Sequence, residues 1–132
     1  MKKTSLLHSE ISYLLASLGH QDIIVIADSG LPIPKGVKRI DLALTAGVPG
    51  FIETLEVVLS ELHVEKAWVA EELLEQPGAV YPKLTQLLPD AEIGALPHVE
   101  LKEWIGRRAI AVIRTGECTP YANVLLQSGV VF

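Results

Sequence analysis

The sequence predicts an α/β domain built around a mostly parallel sheet, and two observations predict it. The first is a pair of continuous apolar runs, Ile23–Ala27 and residues 109–113, which are typical of strands buried on both faces. The second is the alternation of such runs with segments whose apolar residues recur at helical spacing. Strands that alternate with helices favour a layered, mainly parallel sheet. The length of 132 residues fits a single domain, residues 1–132.

Local signals give the first half of the chain two helices and three strands. Apolar residues recur at helical spacing from Leu6 to Leu18, and Gly19 is placed to end that helix. A loop rich in proline and glycine follows the first buried run. Pro49 stands where the second helix begins, because proline is tolerated in the first turn of a helix. The predicted segments are helix 6–18, strands 23–27 and 39–44, helix 49–62 and strand 66–70.

The second half carries a weaker pattern between residues 71 and 90. Pro77, Gly78, Pro82 and Pro89 interrupt any long element there, so only a short helix is expected. Pro97 opens the next helix, and the last strand is broken by a glycine near the end of the chain. The predicted segments are helix 83–88, strand 91–96, helix 97–104, strand 109–113 and strand 122–132.

Composition excludes several classes of function. The net charge is −5 and only seven residues are aromatic, so neither a nucleic-acid surface nor an anionic membrane surface is expected. The longest uncharged apolar stretch, residues 42–52, is shorter than the ~20 residues that a membrane span needs. A single cysteine, Cys118, suits a reducing compartment, and we expect a cytoplasmic protein. The mean hydropathy of +0.36 is high for a short chain, which predicts a homo-oligomer with apolar subunit interfaces.

The motifs that hold common cofactors are missing from the sequence. Residues 30–36 lack the order of a P-loop, and no GxGxxG follows a predicted strand. None of the four histidines has a second ligand at metal-binding spacing. We therefore expect neither a cofactor nor a metal ion. His8 and His63 are predicted to lie within amphipathic helices as ordinary surface or packing residues.

Candidate site residues follow the predicted strands and helices. Asp28 comes directly after the first buried run, where open α/β sheets bind ligands, although an aspartate before Ser-Gly also forms turns. His20 and His98 stand at helix ends, where each is either a solvated capping residue or an acid–base group. Tyr121 and Asn123 offer groups that both donate and accept hydrogen bonds, which match sugar hydroxyls, or they belong to a turn and an edge strand.

Four segments form a specific set when their order and intervals are considered together. They are GHQD at residues 19–22, DSGLPIP at 28–34, IDLAL at 40–44, and IRTGECTPYAN at 113–123, which runs on to Gly129 and Phe132. The set resembles the D-ribose pyranase family, in the superfamily shared with L-fucose mutarotases. The resemblance covers essentially the whole chain.

The resemblance implies a cofactor-free isomerase that interconverts the β-pyranose and β-furanose forms of D-ribose. It also implies a three-layer α/β/α fold and a ring-like homo-oligomer, a decamer, with active sites between neighbouring subunits. The family's catalytic histidine matches His20. Its sugar-binding residues match Asp28, His98, Tyr121, Ala122 and Asn123.

Other functions stay open on the sequence alone. An L-fucose mutarotase would change anomeric configuration without a change of ring size. A non-catalytic pentose-binding protein would bind through Asp28, Tyr121 and Asn123, with His20 as a helix cap only. A hydrolase dependent on Cys118 is a third alternative, although a lone cysteine more often behaves as a small apolar residue.

Overall fold

The computed structural model describes all 132 residues, which form five helices and six strands. The helices are α1 Ser9–Ser17, α2 Phe51–Leu59, α3 Glu71–Leu74, α4 Val80–Leu87 and α5 His98–Arg108. The strands are β1 Ile23–Ala27, β2 Lys38–Asp41, β3 Val64–Ala70, β4 Glu92–Leu96, β5 Ala109–Arg114 and β6 Val124–Ser128. None of the helices has the length and apolar character to cross a membrane.

The strands form one sheet in the order β2-β5-β1-β6-β3-β4. β1 pairs with β5 in parallel, β5 with β2 in parallel, and β3 with β4 in parallel. β6 is antiparallel to both of its neighbours, β1 and β3. Five strands therefore run in one direction around a single reversed strand, which confirms the predicted mixed and mostly parallel sheet.

The two faces of the sheet are covered by separate apolar clusters, which gives the α/β/α layers. Successive residues of β1 alternate between them: Ile24 and Ile26 join the cluster beneath α1, α2 and α4, while Ile23 and Val25 join the cluster beneath α5. This alternation follows from the period of two along a strand. All five residues of β1 are buried, so its sequence is continuously apolar.

Several predicted boundaries and two predicted placements differ from the structure. The last strand is five residues long rather than the whole of residues 122–132, and the short helix α3 was not predicted. His8 is the residue that caps α1, where its Nδ1 accepts a hydrogen bond from the backbone N–H of Ile11. His63 precedes β3 in a loop. The prediction that these two histidines lie within helices is therefore wrong.

The topology separates the chain's polar segments between two edges of the sheet. The carboxyl ends of the five parallel strands and the start of β6 lie at one edge, called here the carboxyl edge. The starts of those strands and the end of β6 lie at the other, the amino edge. The segments that follow β1 and β4 therefore meet the loop that joins β5 to β6, and together they form a cavity.

Candidate functional site

A cavity of about 350 Å³ opens at the carboxyl edge of the sheet. Its walls come from the turn after β1, the start of α5, and the loop that joins β5 to β6. The lining is mainly polar, which suits a hydrophilic ligand. The lining residues are Asp28, Ser29, Gly30, Leu31, Pro32, His98, Glu117, Cys118, Thr119, Pro120 and Tyr121.

Asp28 is held from behind by Asn123. The backbone N–H of Asp28 donates to Asn123 Oδ1 at 2.9 Å, and Asn123 Nδ2 donates to Asp28 Oδ2 at 2.9 Å. The other carboxylate oxygen, Oδ1, accepts from the backbone N–H of Gly30 at 2.9 Å. Asn123 is fully buried, because β6 begins directly after it. Its amide therefore fixes the Asp28 carboxylate in the cavity wall.

Tyr121 also lines the cavity and lies in the loop before β6. Its φ of 64° is in the left-handed region, which a tyrosine adopts only when its surroundings impose it. The backbone N–H of Asn123 donates to the carbonyl of Tyr121 at 2.8 Å, and the N–H of Ala122 donates to the carbonyl of Thr119 at 3.3 Å. The tyrosine ring packs edge-on against His98, with 5.1 Å between the ring centroids. The Tyr121 ring of the loop and the His98 ring of α5 thus form a fixed aromatic pair in the cavity wall.

His98 is the first residue of α5, and Glu72 of α3 anchors it. Both carboxylate oxygens of Glu72 accept from the backbone N–H of His98, at 2.9 and 3.2 Å. The Nδ1 atom of His98 is buried without a hydrogen-bond partner. Burial lowers the pKa of the imidazole, nearby Lys102 lowers it further, and Glu72 and Asp28 act in the opposite direction. The ring is therefore neutral at neutral pH.

Glu117 belongs to the segment after the second buried run, a position where α/β sheets bind ligands, and the structure places it in the cavity. Burial raises the pKa of its carboxyl, but hydrogen bonds outweigh this and hold the pKa below its ordinary value. Oε1 accepts from the backbone N–H of Phe51 at 3.1 Å, and Oε2 accepts from the hydroxyl of Thr119 at 3.1 Å. Glu117 therefore ties the start of α2 to the cavity loop. Its position directly after a buried strand was the available signal.

His20 lies apart from this cavity. It is an exposed residue of the turn between α1 and β1, at the amino edge of the sheet. β1, five residues long, separates His20 from Asp28 and spans about 16 Å at ~3.3 Å per residue. The imidazole Nε2 lies 3.0 Å from Oε2 of Glu65 in β3.

The structure thus divides the six predicted site residues into three groups. Asp28, His98 and Tyr121 line the cavity. Ala122 and Asn123 are fully buried behind it, so Asn123 reaches the cavity only through Asp28. His20 stands at the opposite edge. A single copy of the chain therefore brings the predicted binding groups together around one cavity, without the predicted proton donor.

The cavity contains fixed groups of complementary hydrogen-bonding character. A carboxylate accepts hydrogen bonds, a phenol both donates and accepts them, and a neutral imidazole has one nitrogen for each role. Such a set matches a small molecule with several hydroxyl groups. The fold and the site therefore define a small α/β protein with an open cavity for a polyhydroxylated ligand.

The chain belongs to the RbsD / FucU transport protein family, whose profile matches residues 1–131. It is 54% identical to the D-ribose pyranase of Symbiobacterium thermophilum over 132 residues, with both chains covered completely. It is 55% identical to the D-ribose pyranase of Vibrio vulnificus over 139 aligned positions, again over the full length of both.

Solved structures agree with the sequence comparisons. Bacillus subtilis RbsD, whose structure contains D-ribose, superposes with a TM-score of 0.95 at 48% identity and full coverage of both chains. FucU from Bifidobacterium longum gives a TM-score of 0.82 at 27% identity, with 96% of this chain and 97% of that chain covered. The fucose mutarotase of Streptococcus pneumoniae, solved with L-fucose, shares the fold with a TM-score of 0.84 at 21% identity.

Proposed function

We propose that this protein is a cofactor-independent isomerase, a D-ribose pyranase, that interconverts the β-pyranose and β-furanose forms of D-ribose. The observation that carries the proposal is the full-length similarity to proteins named D-ribose pyranase, at 54% identity. The polar cavity of about 350 Å³ supports it, because a pentose with several hydroxyls matches such a lining. The compartment that fits a ribose-converting isomerase with one exposed cysteine is the cytoplasm.

Ring exchange needs proton transfer and positioning. The pyranose opens when one proton reaches the ring oxygen and another leaves the anomeric hydroxyl, and the free aldehyde then closes through a different hydroxyl. A positioned acid–base group accelerates such a step by roughly 10²–10⁴-fold. In our proposal His20 is the general acid, Asp28 binds a sugar hydroxyl, and His98 and Tyr121 bind the remaining hydroxyls. Asn123 acts by holding Asp28.

The separation of His20 from the cavity supports a site shared between subunits. Because β1 keeps His20 and Asp28 at opposite edges of one sheet, His20 reaches a cavity only if that cavity belongs to a neighbouring subunit. Exposed apolar side chains, including Leu44, Val131 and Phe132, offer surface for such contacts. We propose a homo-oligomer, a decamer, with its active sites at these interfaces.

Saturation-transfer NMR tests the reaction. The anomeric signals of D-ribose and of L-fucose are followed with the wild-type protein, with His20→Ala, and with His63→Ala as a control histidine that is also exposed. We expect faster pyranose–furanose exchange of D-ribose, lost in His20→Ala and kept in His63→Ala. Acceleration of L-fucose anomer exchange alone would assign a mutarotase instead. If exchange is accelerated for neither sugar, the protein is a binding protein without this catalytic activity.

Mixing of variants tests the shared site. His20→Ala and Asp28→Ala subunits are each inactive in our proposal, but a co-assembled oligomer unites intact His20 and intact Asp28 at some interfaces. Random assembly of equal amounts restores about a quarter of the sites. Activity that stays at the level of the single variants would place both residues in the site of one subunit and refute the shared site.

A further inference from the structure

We propose that Glu65 is a positioning residue for His20: it holds the ring proton on Nε2 and leaves Nδ1 as the atom that exchanges a proton with the sugar. This inference rests on the proposed function, in which His20 is the general acid. Glu65 belongs to β3 and lies outside the cavity, so it does not contact the sugar bound by its own subunit.

The contact forms a short chain of hydrogen bonds at the amino edge. His20 Nε2 lies 3.0 Å from Glu65 Oε2, and Gln127 Nε2 donates to Glu65 Oε1 at 2.6 Å. Gln127 is buried in β6, so the second bond anchors Glu65 to the centre of the sheet. Each carboxylate oxygen therefore has one assigned partner.

The backbone of β3 is irregular at this residue. The register between β3 and β6 shifts between Val64 and Lys66, which leaves Glu65 at the irregularity. A bulge of this kind redirects a side chain, and bulges are common beside functional sites. The neighbouring Lys66 takes a different partner, Glu92 of β4, at 3.6 Å. The bulge thus aims one carboxylate of β3 at His20.

The turn that carries His20 is fixed as well. Gln21, the next residue, has a φ of 70°, and its N–H donates to the carbonyl of Ser128 at 2.9 Å. The N–H of Ser128 donates to the carbonyl of Asp22 at 2.9 Å, and the Asp22 carboxylate accepts from the N–H of Gly19 at 2.7 Å. The position of His20 is therefore set by bonds on both sides of it.

These contacts decide which nitrogen carries the proton. A neutral imidazole has one N–H and one acceptor nitrogen, and an ionised carboxylate only accepts. Hydrogen bonds from Gln127 and His20 lower the pKa of Glu65, so this carboxyl is ionised at neutral pH. Nε2 is then protonated in the neutral ring as well as in the imidazolium. The imidazolium therefore gives its Nδ1 proton to the ring oxygen of the sugar, and Nδ1 takes up a proton from the hydroxyl that closes the new ring. The His20 side chain is 48% exposed, which leaves it open to a neighbouring subunit.

The matched pair Glu65→Leu and Glu92→Leu tests the proposal in the intact oligomer. Each substitution removes one carboxylate from an adjacent ion pair of the sheet, and only Glu65 touches His20. We expect Glu65→Leu to lower kcat for ribose ring exchange by about tenfold or more, as part of the acid–base contribution, with little change in KM. Glu92→Leu should keep the wild-type kcat. A Glu65→Leu protein with wild-type kcat overturns the proposal.

Nitrogen-15 NMR of histidine-labelled protein supplies a readout that a merely structural role would not move. His20 signals are assigned by their loss in His20→Ala. In the neutral ring we expect Nε2 to be protonated in the wild type and in Glu92→Leu, and the two tautomers to mix in Glu65→Leu. A lowered kcat with an unchanged tautomer overturns the positioning role.

Mixed oligomers distinguish this inference from the proposed function. Glu65→Leu mixed with Asp28→Ala should regain activity, because His20 and Glu65 come from the same subunit. Glu65→Leu mixed with His20→Ala should regain none. The opposite pattern overturns the inference. Full activity of His20→Ala would instead refute the general-acid role of His20 in the proposed function.

Discussion

Replacement of Asn123 by aspartate is a sensitive test of how the cavity wall is built. The substitution keeps the oxygen that accepts from the Asp28 N–H at 2.9 Å, and it replaces the Nδ2 donor by a second carboxylate oxygen about where Nδ2 lies, 2.9 Å from Asp28 Oδ2. Two carboxylates at this distance cannot both stay ionised. One of them takes up a proton, which then restores the lost hydrogen bond.

The size of the effect follows from the less costly of two alternatives. Two unit charges about 3 Å apart repel by about 5 kcal/mol at an effective dielectric constant of ~20. Protonation of one carboxyl with an ordinary pKa of ~3.9 costs about 4 kcal/mol at pH 7, at ~1.4 kcal/mol per pH unit. We therefore expect Asn123→Asp to lower the free energy of unfolding by about 4 kcal/mol at pH 7.

The pH dependence has a definite sign. The pair's pKa is raised in the folded protein above the value in the unfolded chain, so folding takes up a proton. The stability that the protonated pair contributes to Asn123→Asp is then fully present at low pH. It is lost as the pH rises, by ~1.4 kcal/mol per pH unit up to neutrality. Urea unfolding between about pH 5 and pH 7, at one subunit concentration, measures this difference from the wild type.

Asn123→Ala is the control for that measurement. It removes both hydrogen bonds and leaves the part-buried N–H of Asp28 unpaired, at a cost of about 1–3 kcal/mol that does not change between pH 5 and pH 7. If the loss in Asn123→Asp were equally independent of pH, the two side chains would not face each other, and the described clamp would be refuted.

Two further predictions concern the same edge of the sheet. Burial, and to a smaller extent the charge of Lys102, hold the pKa of His98 below its ordinary 6.5. Below that pH the folded protein therefore binds fewer protons than the unfolded chain. The free energy of unfolding should therefore fall as the pH drops below ~6.5, and less steeply in His98→Gln; equal slopes would contradict the prediction. At Gly116 an added Cβ would lie 2.5 Å from the carbonyl oxygen of Thr45 and 2.6 Å from that of Val48. Gly116→Ala should lose about 1–3 kcal/mol in thermal unfolding, and Gly36→Ala, with open space around it, should not; equal melting temperatures would show that the backbone yields at Gly116.

The buried strands were predictable because their sequence signal is local. β1 is continuously apolar, and β5 is apolar up to its last residue, Arg114. The prediction of Asp28 as a residue at the carboxyl edge therefore needed only the position rule for α/β sheets. The reversed direction of β6 was not predictable in the same way. Its residues are buried on both faces like those of a parallel strand, and only the pairing with β1 and β3 distinguishes it.

The long-range hydrogen-bond partners of Glu72 and Glu117 have no local signal in the sequence. Glu72 anchors His98 across 26 positions of sequence because β3 and β4 are neighbours in the sheet. Glu117 bonds the N–H of Phe51 across 66 positions. In sequence each is an acidic residue in a polar segment, which is typical of a solvated surface. Their roles depend on the order of strands, which the sequence pattern leaves undetermined.

His20 shows that a motif found in the sequence does not by itself give the geometry of its residues. It stands eight positions before Asp28, and such closeness in sequence suggests closeness in space. The five residues between Asp22 and Asp28 are an extended strand, and an extended strand separates its ends as far as a chain of that length allows. The same apolar run that identifies β1 therefore places the two residues at opposite edges of the sheet. A reaction that uses both requires a second copy of the chain, and the apolar surplus in the sequence supports an assembly that would supply one.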